Sequence, residues 1–482
     1  MKIKIGNRDL IWSYMGYALN LCVNVLLIPF AVKYISASEL GLWYTFLSIG
    51  SLVQLLDFGF STTLVRNVTY AWSGVTTLKK EGFQKLDTSA GEDGTHTDFR
   101  LLVLILKSSA TICLIVALVA LLVMVSAGSV YVSYIVRDLN VELMLIAWFI
   151  YALAVFLNIY YNYWTTSLKG VGAIAQSQKA IVFSKLVQIV ISIAGMVMGY
   201  GIFAMTVAYL LSGVTLRVFS KWYLYHYKEI GAYIKKYSPT LKRAEKTELL
   251  KLVWFNAKKT GIASVASFLI TQSTTLICSA YLSLEVTSVY GLTLQIVNAI
   301  VSVAQMYFQT IVPMLTDLKV SNDKDKEIKL LSKAVTVYWL LYWCGVLGMS
   351  VIGMPLLRLL KPNTVIPLGM FLFVGLYMFL ERNHSLFCNY ISLSNTIPYV
   401  QAGVYSGLIT VVTLFVAASV FHADIYALMF IQFFIQLSYN NWKWPYVVLK
   451  SIKINLFTMF KIGVKEIQWD IRNKCKRKTV AR

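Results

Sequence analysis

Long apolar runs recur along this chain, and most exceed the roughly 18 residues that cross a bilayer as a helix. The runs predict twelve spans: 10–33, 40–64, 101–127, 142–166, 178–198, 201–220, 260–281, 287–312, 333–354, 365–391, 398–420 and 424–447. The pairs at 178–220 and 398–447 have very short connections, which leaves eleven or thirteen spans open. Polar positions inside the runs are few and patterned. In the eighth span Gln295, Asn298, Ser302, Gln305 and Gln309 fall on one helical stripe, about 80° wide at about 100° per residue. That seam rises about 21 Å, against a hydrocarbon core of about 30 Å.

A seam of this length has two readings. It is interhelical glue, since amides bond across helix interfaces in membranes, or it lines water or a polar solute. Glue ordinarily takes one or two residues, which favours a cavity wall. Span 7 adds Gln272 within Thr271-Gln-Ser-Thr-Thr275, and span 2 adds Ser51, Gln54 and Ser61 beside Asp57. The first two spans of each half are therefore polar on one side.

Composition agrees with a polytopic membrane protein. Of 482 residues, 58% are hydrophobic and 14% charged, where a soluble chain carries about 25% charge. Mean hydropathy is +0.66. The amino terminus reads as a first span, not a cleavable signal, because its apolar run is too long and no small-residue cleavage site follows.

Charge orients the spans. With a cytoplasmic amino terminus, and with positives at span ends such as Arg217 counted with the adjoining loop, 37 of the 44 Lys and Arg fall on the cytoplasmic side, 4 on the outer side and 3 deeper within spans, as the positive-inside rule requires. The net charge of +22 is thus an orientation and lipid-surface signal, and nucleic acid is not an expected partner. The six cysteines lie in spans or the inner tail, so no disulfide is expected.

The expected organisation is a first six-span lobe (1–220), a basic and aromatic cytoplasmic linker (221–256), a second six-span lobe (257–449) and a basic amphipathic tail (450–482). In the tail, Leu456, Phe460, Val464, Ile467 and Ile471 recur at helical spacing between lysines, the pattern of an interfacial helix on an anionic leaflet. The halves look like parallel repeats, since a shift of 246 residues brings Ser38–Tyr44 onto Leu284–Tyr290.

Enzyme signatures are missing. There is no Gly-x-x-x-x-Gly-Lys-Ser/Thr loop for ATP, and no Cys/His group with metal spacing. Glu381-Arg-Asn-His384 places an acid and a histidine three apart, read as a local polar cluster rather than a metal site. A membrane glycan polymerase would need catalytic groups on a sizeable outer loop, and the expected outer loops are short.

Ionisable residues inside spans are costly and usually face protein or a wet cavity. Asp57 toward the cytoplasmic end of span 2, with Arg66 about two turns later, reads either as a cavity charge or as a structural ion pair or cap at the helix end. Lys185 reads as a cavity positive or a snorkelling side chain. Glu381 and Arg382 point about 100° apart, so each needs a partner on another helix or a wet cavity. Lys258 and Lys259 open span 7 as phosphate contacts at a cavity mouth, or simply as orientation signals.

Three stretches carry a resemblance: Ile28-Pro-Phe; Glu39-Leu-Gly-Leu-Trp43 with Leu55-Leu-Asp-Phe-Gly-Phe-Ser61; and Leu249 to Pro313 in the second half. In their order and topology they resemble the polysaccharide transporter family, the O-antigen-unit flippases of the multidrug, oligosaccharidyl-lipid and polysaccharide exporter superfamily. The resemblance implies an all-α bacterial inner-membrane protein with two six-helix lobes around a central cavity and both termini cytoplasmic. It implies alternating access, and as cargo an undecaprenyl-diphosphate-linked oligosaccharide bound for O-antigen, lipopolysaccharide or capsule. Membrane lipids, a glycan polymerase and chain-length machinery are the implied partners. A drug or metabolite exporter of the same superfamily is the alternative. No cofactor is expected beyond proton or sodium coupling. Many members of the resembled family carry an acid in span 7 where this chain has Thr271–Thr275, so ion coupling, if the protein uses it, would fall to Asp57, Glu381 or Arg382.

Overall fold

The computed structural model describes residues 7–57, 60–72, 98–136, 139–241, 245, 247–249, 265, 268–320, 323–360, 366–393 and 398–480, with no strand among them. The first half runs α1 (Asn7–Tyr34), α2 (Ala37–Gln54), α3 (Phe60–Trp72), α4 (Phe99–Val123), α5 (Ser129–Ile135), α6 (Val141–Tyr160), α7 (Asn162–Gly170), α8 (Ile174–Val197), α9 (Gly201–His226) and α10 (Ile230–Tyr237). The second runs α11 (Ser273–Tyr281), α12 (Leu284–Val320), α13 (Lys324–Gly348), α14 (Met354–Leu360), α15 (Leu368–Ser392), α16 (Val400–Ser419), α17 (Ile425–Ser438), α18 (Asn440–Ser451) and α19 (Leu456–Val480). Seven of the described helical stretches are by themselves long and apolar enough to cross a membrane.

Several spans that read as continuous in the sequence are broken. The second expected span ends α2 at Gln54, makes a 3-10 turn over Leu55–Asp57 and resumes as α3. The fourth breaks at Tyr161, between α6 and α7, and the last at Tyr439, between α17 and α18. Hydropathy cannot register such breaks, because they change backbone angles and leave the apolar composition intact.

Two breaks form a matched pair. α4 and α13 are each 25 residues long, and each continues through a five-residue π turn into a seven-residue helix. One shift lays Phe99 on Lys324, Met124 on Met349 and Ser129 on Met354. Both turns open with Met and close with Gly (Met124-Val-Ser-Ala-Gly128 and Met349-Ser-Val-Ile-Gly353). A serine in each bonds back to the preceding turn, Ser126 to the Leu122 carbonyl at 2.7 Å and Ser350 to that of Val346 at 2.8 Å. The shift found from α2 and α12 is larger, because the first half carries the polar segment 73–97 between the paired elements.

The chain divides into two compact units: residues 1–268 with 278–288, and 269–277 with 289–482. In the first unit α8 packs against α1 and α9. A buried aromatic group ties α2 to α6 and α9: Phe46 lies 4.9 Å from Trp148 and 5.6 Å from Tyr151, and Tyr151 lies 5.3 Å from Tyr209. The segment 278–288 is held in this unit by Ser279, whose hydroxyl bonds that of Tyr131 at 2.8 Å.

The start of the stretch read as a linker is folded onto the first unit. α9 runs on to His226, the chain turns through Lys228 and Glu229 at φ 46° and 60°, and α10 follows. Tyr233 of α10 stacks on Phe99 at 3.6 Å, and Tyr227 lies 5.9 Å from Trp72. The left-handed turn costs on the order of 1–2 kcal/mol per residue, offset by this aromatic packing.

In the second unit α16, α17 and α18 are joined by amides. Thr274 donates to Gln432 Oε1 at 2.6 Å, and Gln432 donates to the Ile270 carbonyl at 2.8 Å. Asn440 donates to Ser406 Oγ at 2.7 Å and to Gln436 Oε1 at 2.9 Å. This is the glue chemistry expected where lipid offers no competing hydrogen bonds.

Candidate functional site

The first unit contains a cavity of about 330 Å³, lined by apolar and polar side chains. Five elements line it: the end of α2 supplies Gln54, α6 supplies Asn158, α7 Asn162, α8 Lys185, and α9 Tyr209 and Arg217. All its lining residues belong to that unit. Two cations and three amides meet there, with no carboxylate in the lining among the described residues.

Arg217 is the most constrained of these groups. Its side chain is buried at 7% exposure. Nε donates to the Leu157 carbonyl at 2.6 Å, and Nη2 donates to Asn158 Oδ1. Those two contacts fasten α9 to the end of α6 and fix the guanidinium plane. Gly213, one turn before, makes the approach feasible: a Cβ there would lie 2.5 Å from Arg217 Nη1 and 2.9 Å from Asn158 Oδ1. Lys185 is half-buried, and its ammonium donates to Gln188 Oε1 at 3.1 Å. Asn162 donates to Ser61 Oγ at 2.7 Å, tying α7 to α3. A buried arginine costs about 2.5–3.5 kcal/mol at the centre of a membrane helix, and neutral carbonyl partners leave its charge uncompensated. The arrangement is suited to an anion, with amides and hydroxyls beside it for neutral polar groups.

The residues singled out in the sequence separate into two groups. Gln54 and Lys185 meet in the cavity. Gln272, the α12 seam, Glu381 and Arg382 all belong to the second unit. There Arg382 Nη2 donates to Asn298 Oδ1 at 3.4 Å, and Gln305 Nε2 donates to the Arg382 carbonyl at 3.4 Å. Ser302 bonds back to the Asn298 carbonyl at 2.8 Å. Gln272 and Gln295 are half-buried, and Gln309 is exposed. Part of the seam therefore ties α12 to α15, and its far end is open. The side chains of Asp57 and Arg66, and Lys258 and Lys259 entirely, lie outside the described residues.

Beside the seam sits a buried charged cluster. Glu381 Oε2 lies 3.5 Å from His384 Nδ1, the two on one face of α15 as their spacing predicts. Asn383, between them, accepts from the Trp339 indole at 2.8 Å. Glu381 Oε2, Arg382 Nε and His384 Nδ1 have no hydrogen-bond partner among the described residues. Among those residues no three His, Cys, Asp or Glu side chains cluster as metal ligands.

No family model matches the sequence, and no curated protein matches it. Solved structures do share its fold. An inward-facing multidrug-resistance MATE transporter of the MOP superfamily aligns at TM-score 0.61 and 13% identity, over 90% of this chain and 95% of that one. The lipid II flippase MurJ, in an inward closed conformation, aligns at TM-score 0.60 and 13% identity, over 95% and 90%. A MOP superfamily transporter from Pyrococcus furiosus, described as having a binding pocket of reverse polarity, aligns at TM-score 0.52 and 13% identity, over 93% and 96%. The fold is that of the MOP-superfamily transporters. The likeness extends over nine-tenths or more of this chain, in an all-helical architecture of the twelve-helix kind.

Within this MOP fold, three polar residues of the cavity escaped the sequence reading. Arg217 counted there as an inner-interface positive, yet it lies within α9 and lines the cavity. Asn158 and Asn162 are single amides near a helix break and join no stripe. The available signal was Gly213 one turn before Arg217 in an apolar helix, a small residue where an arginine must fold back.

Proposed function

We propose that this protein moves a lipid-linked oligosaccharide with an anionic head, of the undecaprenyl-diphosphate class, from the inner to the outer leaflet of a bacterial inner membrane. The observation that carries the proposal is the pairing of Lys185 and Arg217 with Gln54, Asn158 and Asn162 in one cavity. Fixed cations suit a diphosphate and the amides suit the adjoining sugar. The MOP fold, shared with a lipid II flippase, supports it. Export of cationic drugs fits this cavity less well, since its two charges would repel them.

Both termini are placed in the cytoplasm, following the positive-inside asymmetry. Coupling to a proton or sodium gradient is assigned to Glu381 with His384, buried ionisable groups whose facing atoms lack hydrogen bonds. Cargo of this kind would pass to a glycan polymerase and its chain-length partners.

The test is deletion of the gene followed by analysis of lipid-linked sugars. Single repeat units should accumulate on the cytoplasmic face. Units that reach the outer face but fail to polymerise would sink the flippase reading. Purified protein in vesicles should also carry a fluorescent lipid-diphosphate sugar across the bilayer.

A further inference from the structure

The tail helix α19 has two faces. The inward face lies on α13: Met459 is fully buried, Phe460 stacks on Trp339 at 5.9 Å, and Asp470 pairs with Lys333. Gly463 fits where a Cβ would strike Thr336 and the Ser332 carbonyl. Lys333 also reaches over the Tyr307 ring of α12 at 5.3 Å. The tail is thus seated on the second unit, a contact that the sequence pattern of an interfacial helix did not show.

The outward face is unoccupied by protein among the described residues. At about 100° per residue, Phe457, Lys461, Gln468, Lys465 and Arg472 fall on the side opposite Met459, Gly463 and Asp470, and all five are exposed. Trp469 flanks them at 61% exposure, and Phe457 is 73% exposed. No carboxylate lies among them: Asp470 is taken by Lys333, and Glu466 falls toward the packed side. The sequence continues with Lys474, Lys476, Arg477 and Lys478. Exposed aromatics interleaved with cations, on a helix anchored from behind, make a surface for headgroups.

We propose that this face of α19 docks on anionic phospholipid headgroups, so that the lipid surface and α13 hold the helix between them. The occupant follows from charge: three exposed cations without an acid attract a negative surface, each strengthening docking about fivefold. Phe457 and Trp469 supply the apolar side of the same contact. The attraction is screened by salt beyond about 10 Å at 0.1 M, so docking weakens as ionic strength rises. The inference is independent of what the cavity carries.

The full-length protein tests it in vesicles of phosphatidylcholine with and without phosphatidylglycerol, the acyl chains carrying bromine as a fluorescence quencher. Comparing the wild type with Trp469→Phe isolates the quenching of that indole. Quenching of Trp469 should grow with the phosphatidylglycerol share and fall with salt. Lys461→Gln with Lys465→Gln should reduce the lipid-dependent docking equilibrium about twenty-fivefold while leaving Asp470 and Met459 untouched. Should that pair of changes lower protein yield, single Arg472→Gln supplies the same readout at about fivefold. Quenching indifferent to phosphatidylglycerol would overturn the proposal. So would a Trp469 that stays unquenched at every phosphatidylglycerol share and low salt, since the face would then not meet lipid.

Discussion

Gly213 stands against the contact between Arg217 and Asn158, the one that fastens α9 to α6 at the wall of the cavity. The glycine has no conformational duty there, since it sits inside a regular helix. Its role is to have no side chain. Gly213→Ala should displace the guanidinium and weaken binding of a diphosphate headgroup roughly tenfold or more, the worth of a hydrogen bond to a charged group. Calorimetry on purified protein measures this. Binding unchanged at a normal protein level would remove Arg217 from the site.

Lys185 and Arg217 should differ in how they fail. Lys185 is a half-buried point charge bonded to one amide, whereas Arg217 is buried and fixed by two acceptors. Lys185→Gln is expected to reduce headgroup affinity about tenfold and flatten its salt dependence. Arg217→Lys keeps the charge and loses the fork, so affinity should drop with the salt slope retained. Identical salt slopes for both variants would count against separate roles.

Glu381 and His384 form the buried pair assigned to coupling. Glu381→Gln should abolish the stimulation of transport by an imposed pH gradient and leave headgroup affinity within about twofold. Transport by this variant that still responds to the gradient would move coupling elsewhere, Asp57 being the next candidate.

Gln436, Asn440 and Thr410 lie in the buried amide network of α16, α17 and α18. Gln436→Leu should lower stability by about 1 kcal/mol, the usual worth of such a bond in a membrane, and reduce thermal stability by a few degrees. Transport at permissive temperature should persist. Loss of transport with unchanged stability would give the network a functional role instead.

The matched π turns invite a deletion test. Each inserts one residue into an otherwise α-helical ladder, a feature frequent at functional positions. Removing Val351 should convert Met349–Gly353 to α-helix and rotate α14 by about 100° relative to α13. The expected outcome is loss of transport with normal membrane insertion, read by transport assay and by protein level. Full activity would leave the paired turns without a mechanical role.

The sequence by itself determined the membrane class, a count of about twelve spans, and the face-sharing of Glu381 with His384. These depend on composition and on helical period, which are local properties of the chain. Tertiary structure decided which polar groups meet. Gln54 and Lys185, far apart in sequence, share a cavity with Arg217 because α2, α8 and α9 pack in one unit, while Arg382 crosses to the α12 seam. It also decided that Arg217, a plain interface positive by hydropathy, faces inward. An arginine near a helix end can snorkel or fold back, and only the space left by Gly213 and the acceptor on Asn158 makes the second course favourable.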